Sequence, residues 1–478
     1  MQPRPAALKS LPQELLFVGV CGMGQALFGW LLGNVVVNQR SLTADLGTSN
    51  SQKPWLLGSF LLTNGLSVVI SGSLADHLGP KMLMVGGFAW LSLWNLITGF
   101  SLSSKYLFFI SRAMQGFACG ALTSSSISLL GQTYSPGRRK SRAFSGMAAM
   151  APVGYWLGAI HGGLLTEHRP WIFFSMAIGI ALLFVLSLSV VPASVDPRAT
   201  AARPSLRQFD YLGALLAMIG LGCIVAGLTQ GSPAGWQPYT YILIIAGAAT
   251  LAAFTLAERQ ATRPLVPMQL FSVPNFPAVI LVYFLAFGAF SVWQFYMLEF
   301  FLSVQKVAPL TAALYLTPNA IVGLLCTFGT ASLLHVVPGH YVLCVSALAS
   351  GAGAVFFLPQ TANTSYYALS MPGIALATLC PDLSFAAVAV LLTTSVPRTY
   401  QGSAGAFLMT AQSLSAAIFI GIGDAIATAT PGQVAHADLE MRSLRSVWWF
   451  SLAVALVSAA IGLAFVRIPK TQEREHYD

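Results

Sequence analysis

Apolar stretches of about twenty residues recur along the whole chain, separated by short polar connections. A helix rises about 1.5 Å per residue, so a stretch of about twenty crosses a hydrocarbon core of ~30 Å. A membrane-spanning strand needs only about ten residues and alternates apolar with polar, which these stretches do not. The pattern predicts fourteen spans, over 15–37, 54–75, 82–101, 106–130, 143–165, 171–192, 211–229, 239–257, 276–298, 308–330, 341–358, 365–394, 403–428 and 447–466. Pro372 and Pro381 interrupt the 365–394 stretch, a break that neighbouring helices can satisfy. The expected fold class is all-α, a polytopic helical membrane protein.

Two connections rich in proline and charge, 193–210 and 258–275, set off the spans at 211–229 and 239–257, whose cores hold almost no polar residues. The layout is therefore 6 + 2 + 6. The expected units are 1–194, 195–258 and 259–478: a six-helix bundle, a linker with two extra spans, and a second six-helix bundle with a short tail. Two six-span halves point to a repeated bundle with a site between them near the midplane.

Composition and charge sharpen this picture. The chain is 56% hydrophobic and 8% charged, against about 25% charged in soluble domains, which excludes a water-soluble globule. The net charge of +9 reads as topogenic loop cations rather than a nucleic-acid surface. With both termini inside, sixteen Lys and Arg fall on inner segments and seven on outer loops, with Arg112 inside a span. That bias fits an even number of spans and two cytoplasmic termini. The six cysteines all lie in apolar runs with no CxxC pair; they read as small hydrophobes, with no disulfide framework and no metal site. No cleavable signal peptide is evident, and the first span can serve as its own insertion signal. Asn363-Thr364-Ser365 is a glycosylation sequon in a short outer loop and carries little weight.

The connection after the second span reads Gly72-Ser73-Leu74-Ala75-Asp76-His77-Leu78-Gly79-Pro80-Lys81 and carries the first charges after Pro54. It is expected as a short turn at the membrane surface. Gly79 and Pro80 suit a tight turn, and Asp76 can pair with a helix N-terminus or a basic group. The alternative is an ordinary loop with a topogenic Lys81. Arg112 lies inside the fourth span, with Gln115 three residues on. An arginine at that depth needs a cavity or a partner, or else it snorkels to the surface. In the fifth span Gly154, Gly158, Gly162 and Gly163, with Ala159, allow close helix approach. His161 among them is expected to be solvated, with titration as the alternative.

These stretches resemble the motifs of the major facilitator superfamily. The 72–81 stretch is similar to that family's G-x-x-x-D-x-x-G-x-K/R loop. This implies that Asp76 acts at a cytoplasmic gate and that Gly72, Gly79 and Lys81 set the loop. Arg112-Ala113-Met114-Gln115-Gly116 resembles the R-x-x-Q-G motif linked to proton-coupled transport. Gly154 to Gly163 resembles the antiporter motif G-x-x-x-G-P-x-x-G-G, with Ala159 standing where proline is usual, so the kink should be absent or weaker. Arg169-Pro170-Trp171-Ile172, Thr133-Tyr134-Ser135-Pro136-Gly137, Ala151-Pro152-Val153-Gly154, Cys380-Pro381-Asp382-Leu383 and Gln401-Gly402-Ser403-Ala404-Gly405 extend the likeness. Nearly the whole chain resembles the fourteen-span fungal drug:proton antiporters, and among them the aminotriazole/boron-resistance-like branch. Residues 331–340 faintly echo the opening loop, with His335 against Asp76.

Among the acids, Asp382 falls in mid-span directly after Pro381, where a carboxylate is functional by default. The alternative is a carboxylate satisfied by backbone groups that the proline frees. Asp424 and Glu299 fall near outer span ends and read as interfacial. Gln25, Asn64, Gln115, Trp156, Trp293 and Gln294 fall at mid-span, and Glu299 with Trp293 extends them towards an outer vestibule. A broad apolar cavity with a few polar anchors would take varied small molecules.

The resulting expectation is a secondary active transporter, not an enzyme, without cofactor or metal. It works by alternating access between two bundles, coupling a small organic molecule to protons, as a monomer in the bilayer. Arg112, Gln115 and Asp382 are the candidates for proton coupling or substrate charge. The resemblance implies efflux at a fungal plasma membrane, with a vacuolar or other vesicular membrane as the alternative. No Walker-type Gly-Lys-Ser/Thr stretch is present, which argues against an ATP-driven pump. An importer or facilitator is the alternative within transport. A membrane-embedded enzyme or a sensor is the remote one, since the acids are scattered and only seven histidines exist.

Overall fold

The structure is a computed structural model. It describes Pro5, Leu8 and residues 10–48, 52–134, 138–192, 209–231, 235–261, 264–396, 401–429 and 436–468. Each apolar stretch forms a long helix: α1 (Leu11–Val36), α3 (Trp55–Leu78), α4 (Pro80–Phe100), α5 (Lys105–Thr133), α6 (Arg138–Leu164), α7 (Arg169–Val190), α8 (Tyr211–Gly231) and α9 (Pro238–Gln260), then α10 (Phe276–Glu299), α12 (Thr317–Val336), α13 (Gly339–Phe357), α14 (Met371–Ser395), α15 (Gln401–Ala429) and α16 (His436–Phe465). Two short helices, α2 (Gln39–Asp45) and α11 (Pro309–Leu314), lie between them. No strand occurs among the described residues.

Thirteen of the fourteen spans are apolar enough to cross a membrane by composition. The exception is α5, diluted by Lys105, Arg112, Gln115 and a run of serines, most of them buried. Polar residues buried on one helix mark it as facing protein rather than lipid.

Helices α1 and α3–α7 pack into one bundle and α10 and α12–α16 into another, while α8 and α9 form a hairpin lying against α15 and α3. The fold is the expected 6 + 2 + 6 arrangement. The hairpin closes on glycine: a Cβ at Gly247 would lie 2.6 Å from the Gly220 carbonyl oxygen. The bundles meet along two seams, α3 on α15 and α6 on α12 with α11. With an even number of spans, Ser10 and Ile468 share one face, termed the terminal face; the opposite one is the far face.

The structure departs from the sequence pattern at three places. The expected turn over 72–81 is helical as far as Leu78, and Gly79 alone separates α3 from α4. Gly79 takes φ 90°, ψ 141°, open to glycine without a Cβ penalty; Pro80 then starts α4 at a position that needs no N–H donor. The 308–330 stretch is divided into α11 and α12. Across 365–394, α14 runs unbroken through Pro381, and Pro372 sits in its first turn.

Candidate functional site

Each family-like motif occupies a definite contact. A Cβ at Gly72 would lie 3.9 Å from Ala406 Cβ on α15, so that glycine faces the second bundle. Lys81 Nζ donates to the Leu188 carbonyl on α7 at 3.3 Å. The Asp76 side chain, like that of His335, lies outside the described residues. Beside it His77 is buried, with its ring edge against Phe209 at 5.9 Å.

Gly154, Gly158 and Gly162 form a stripe on α6 against α1. A Cβ at Gly154 or Gly158 would collide with the backbone of Ala26 or Trp30, and one at Gly162 would come within 2.6 Å of the Asn34 carbonyl oxygen. Gly29 and Gly33 answer from α1. Asn38 Nδ2 donates to the Gly162 carbonyl at 2.8 Å. Ala159 is fully buried, and α6 continues helical through it. Gly163 points the other way, with a Cβ there 2.7 Å from Leu310 Cα on α11. His161 is half-buried, with Nε2 2.9 Å from Ser175 Oγ and its ring against Trp30.

Arg112 does not snorkel; it is fully buried. Its guanidinium donates to the Leu56 carbonyl at 3.3 Å, the Leu31 carbonyl at 3.0 Å and Gln115 Oε1 at 2.7 Å. It also stacks over Phe60, 4.6 Å from the ring centroid. Gln115 Nε2 donates to Thr98 Oγ1 at 2.8 Å. Spacing of i, i+3 puts both side chains on one helix face, and together they tie α5 to α1, α3 and α4. These hydrogen-bond partners of Arg112 are carbonyl and amide oxygens, not carboxylates.

Between the bundles, Asn64 Nδ2 on α3 donates to Ser413 Oγ on α15 at 2.8 Å, and Thr410 Oγ1 donates to the Gly65 carbonyl. A narrow cleft of about 10 Å³, room for a single water in this conformation, opens beside these bonds. It is lined by Gln25 and Phe28 from α1, Asn64 and Val68 from α3, Thr123 from α5, and Met409, Gln412 and Ser413 from α15. Gln412 Oε1 accepts from the Tyr283 hydroxyl at 2.9 Å. Of the residues expected around a cavity, Gln25 and Asn64 line this cleft. Trp293 packs in the second bundle between Phe290 and Phe357. Trp156 is half-buried with Nε1 unpartnered; it is one turn from Pro152, which faces α12.

Asp382 sits at the second seam. A Cβ built on Gly323 of α12 would lie 2.8 Å from Pro152 Cβ of α6 and 3.3 Å from Asp382 Oδ2. That oxygen is shielded from solvent and has no hydrogen-bond partner among the described residues.

The far face carries a latch that the sequence pattern did not single out. Glu299 Oε1 pairs with Lys53 Nζ at 2.8 Å, and its Oε2 accepts from Gln39 at 2.9 Å. Arg40 donates to the Leu302 carbonyl at 2.9 Å, on the π-helical turn Phe300–Val304 that follows α10. Asp424 on α15 is 6% exposed, and its Oδ2 has no hydrogen-bond partner among the described residues. Glu299 and Asp424 are both drawn between the bundles rather than exposed. The available signal was the pair of cations, Arg40 and Lys53, in the one connection between the first two spans.

On the terminal face Arg139 Nη2 pairs with Glu14 at 2.7 Å, and the Tyr134 hydroxyl donates to the same carboxylate at 3.1 Å. The hydrogen bond to Glu14 raises Arg139 above the ordinary guanidinium range, while burial and the Glu14 charge push the Tyr134 phenol up.

Residues 19–420 match the family model described as Major Facilitator Superfamily. A "Low affinity ammonium transporter" of Saccharomyces cerevisiae is 32% identical, covering 87% of this chain and 82% of the relative. "Efflux pump terJ" of Aspergillus terreus is 29% identical, covering 96% and 89%. Among solved structures, that of the peptide transporter POT in complex with sulfate superposes with a TM-score of 0.67 at 16% identity, covering 97% and 98%.

Proposed function

The chain belongs to the major facilitator superfamily, and on that premise we propose that it exports a small organic molecule in exchange for protons by alternating access. The units 1–194 and 259–478 rock against each other, and 195–258 carries the extra hairpin. The terminal face is cytoplasmic, the protein works as a monomer, and the membrane is the plasma membrane.

One observation carries this reading. Asp382 Oδ2 is an unpartnered carboxylate oxygen at the point where α6 and α12 meet. A carboxylate there can hold a proton in one conformation and release it in another, because the seam that shields it is the one that alternating access opens. Asp382 lies at one seam between the bundles and the cleft at the other, so a proton on the first and a solute in the second act on the same bundle movement. The far-face latch through Lys53 and Glu299 holds the outside closed, and Asp76 serves the opposite gate. Arg112 and Gln115 tie together α1, α3 and α5, three of the four helices that line the cleft.

The direction rests on the relative named as an efflux pump. A second reading, import of a small solute, is favoured by the relative named as an ammonium transporter. The test is reconstitution of the purified protein into liposomes holding a trapped pH dye. Addition of a transported solute should drive proton movement opposite to the solute. Proton movement in the same direction supports import, and solute transport indifferent to an imposed pH gradient overturns proton coupling.

A further inference from the structure

Building on the proposed cleft, we infer that the transported solute is uncharged and hydrogen-bonding, of the carboxamide or lactam type. Two independent observations support this class. The first is what lines the cleft: amides, hydroxyls and apolar side chains, with no ionisable group among the described lining residues. A charged solute would shed its water there and meet no counter-charge, which is unfavourable in proportion to its desolvation.

The second is the direction of the free hydrogen-bonding groups. Asn64 is 4% exposed, and its Nδ2 is engaged by Ser413 Oγ. Its Oδ1 is therefore the free end, and that oxygen is buried with no partner among the described residues. Gln412 is oriented the opposite way. Its Oε1 is occupied by the Tyr283 hydroxyl, which leaves Nε2 as the end with no partner among the described residues. Across the α3–α15 seam these two ends offer an acceptor and a donor, beside the Gln25 amide and the Thr123 and Ser413 hydroxyls that also line the cleft. A cis-amide presents an N–H and a C=O side by side, and once the seam opens to admit it Phe28, Val68 and Met409 provide the wall for its apolar remainder. Such a solute would replace a contact across the seam with a bridge across it, linking occupancy to the movement of α3 against α15.

A neutral solute has a further consequence. Exchange of an uncharged molecule for a proton moves net charge, so the cycle responds to membrane potential as well as to pH.

The test uses three probes of one size and different charge: benzamide, benzylammonium and benzoate. Their equilibrium binding to the purified full-length protein is compared. Benzamide should bind at least tenfold more tightly than either ion. Asn64→Asp, nearly isosteric, should reverse that order in favour of benzylammonium; Gln412→Glu provides the same reversal from the other seam helix if the first variant is lost to misfolding. Equal or tighter binding of benzylammonium or benzoate to the wild-type protein overturns the neutral class. Binding of none of the three, in wild type and in both variants, overturns the cleft as the recognition site. A protein that binds benzamide but moves no protons leaves this inference standing and refutes proton exchange alone.

Discussion

Lys53 and Glu299 form a 2.8 Å ion pair that crosses from one six-helix bundle to the other, with their side chains only 13% and 15% exposed. Such a shielded pair is screened less than a surface one, and hydrogen bonds to charged groups contribute about 1.5–3 kcal/mol. Gln39 reinforces the same carboxylate. Glu299→Gln is therefore expected to shift the equilibrium towards a far-face-open state by roughly tenfold or more, on the order of 1.4 kcal/mol per decade. Spin labels placed on α2 and α11 would report the change as a longer inter-bundle distance population. An unchanged distribution would remove the pair from gating.

The Arg112 cluster leads to a different expectation. Lysine cannot reach two carbonyls and an amide oxygen while stacking on a ring. Arg112→Lys should leave buried acceptors on α1 and α3 unpaired, at about 1–3 kcal/mol for each group left unsatisfied. The measurable result is a lower melting temperature in detergent with an unaltered pH dependence of transport in the surviving protein. A variant of normal stability with a flattened pH profile would instead make Arg112 a coupling residue.

The sequence shows the helices and the 6 + 2 + 6 order clearly, because span length and loop charge follow from the bilayer itself. It shows the motifs less clearly, because a motif names residues without saying what they touch. Gly72 to Lys81 reads as a loop, yet one glycine at φ 90° suffices to turn the chain. The glycines of α6 read as one motif, but 154, 158 and 162 serve α1 whereas 163 serves the other bundle. Trp293 was expected in a vestibule and packs in a core. The latch of Lys53 with Glu299 joins residues 246 positions apart, and the hydroxyl that orients Gln412 in the cleft comes from Tyr283, 129 positions away. Such contacts depend on how two bundles dock, and no local periodicity encodes that docking.

The α6 stripe separates folding from gating. Gly158→Leu would drive a side chain into the Trp30 backbone; overpacking of this kind costs about 1–3 kcal/mol or more, so poor yield and lowered thermal stability are expected. Gly163→Leu meets Leu310 across the bundles instead. It should fold normally and weaken far-face closure, seen as faster thiol labelling of a cysteine placed beside Leu310. Equal loss of stability in both variants would contradict this division.

Asp382 offers the sharpest separation of binding from coupling. Its Oδ2 has no described partner to lose, so Asp382→Asn should cost little stability, within about 0.5 kcal/mol of wild type. The amide cannot gain or release a proton in the working range. Solute binding should therefore persist, while accumulation against a gradient falls to simple equilibration and transport becomes independent of pH. Tyr283→Phe removes the hydroxyl that fixes Gln412 Oε1, leaving the amide free to turn. It should weaken solute binding by roughly three- to tenfold, the loss of one hydrogen bond of about 1 kcal/mol, and retain a pH response. Measured side by side, the two variants place the proton on α14 and the solute on α15. If Asp382→Asn still accumulates solute against a gradient in response to imposed pH, the carboxylate is not the proton carrier, and the search moves to Asp424, a buried acid whose Oδ2 also has no partner among the described residues.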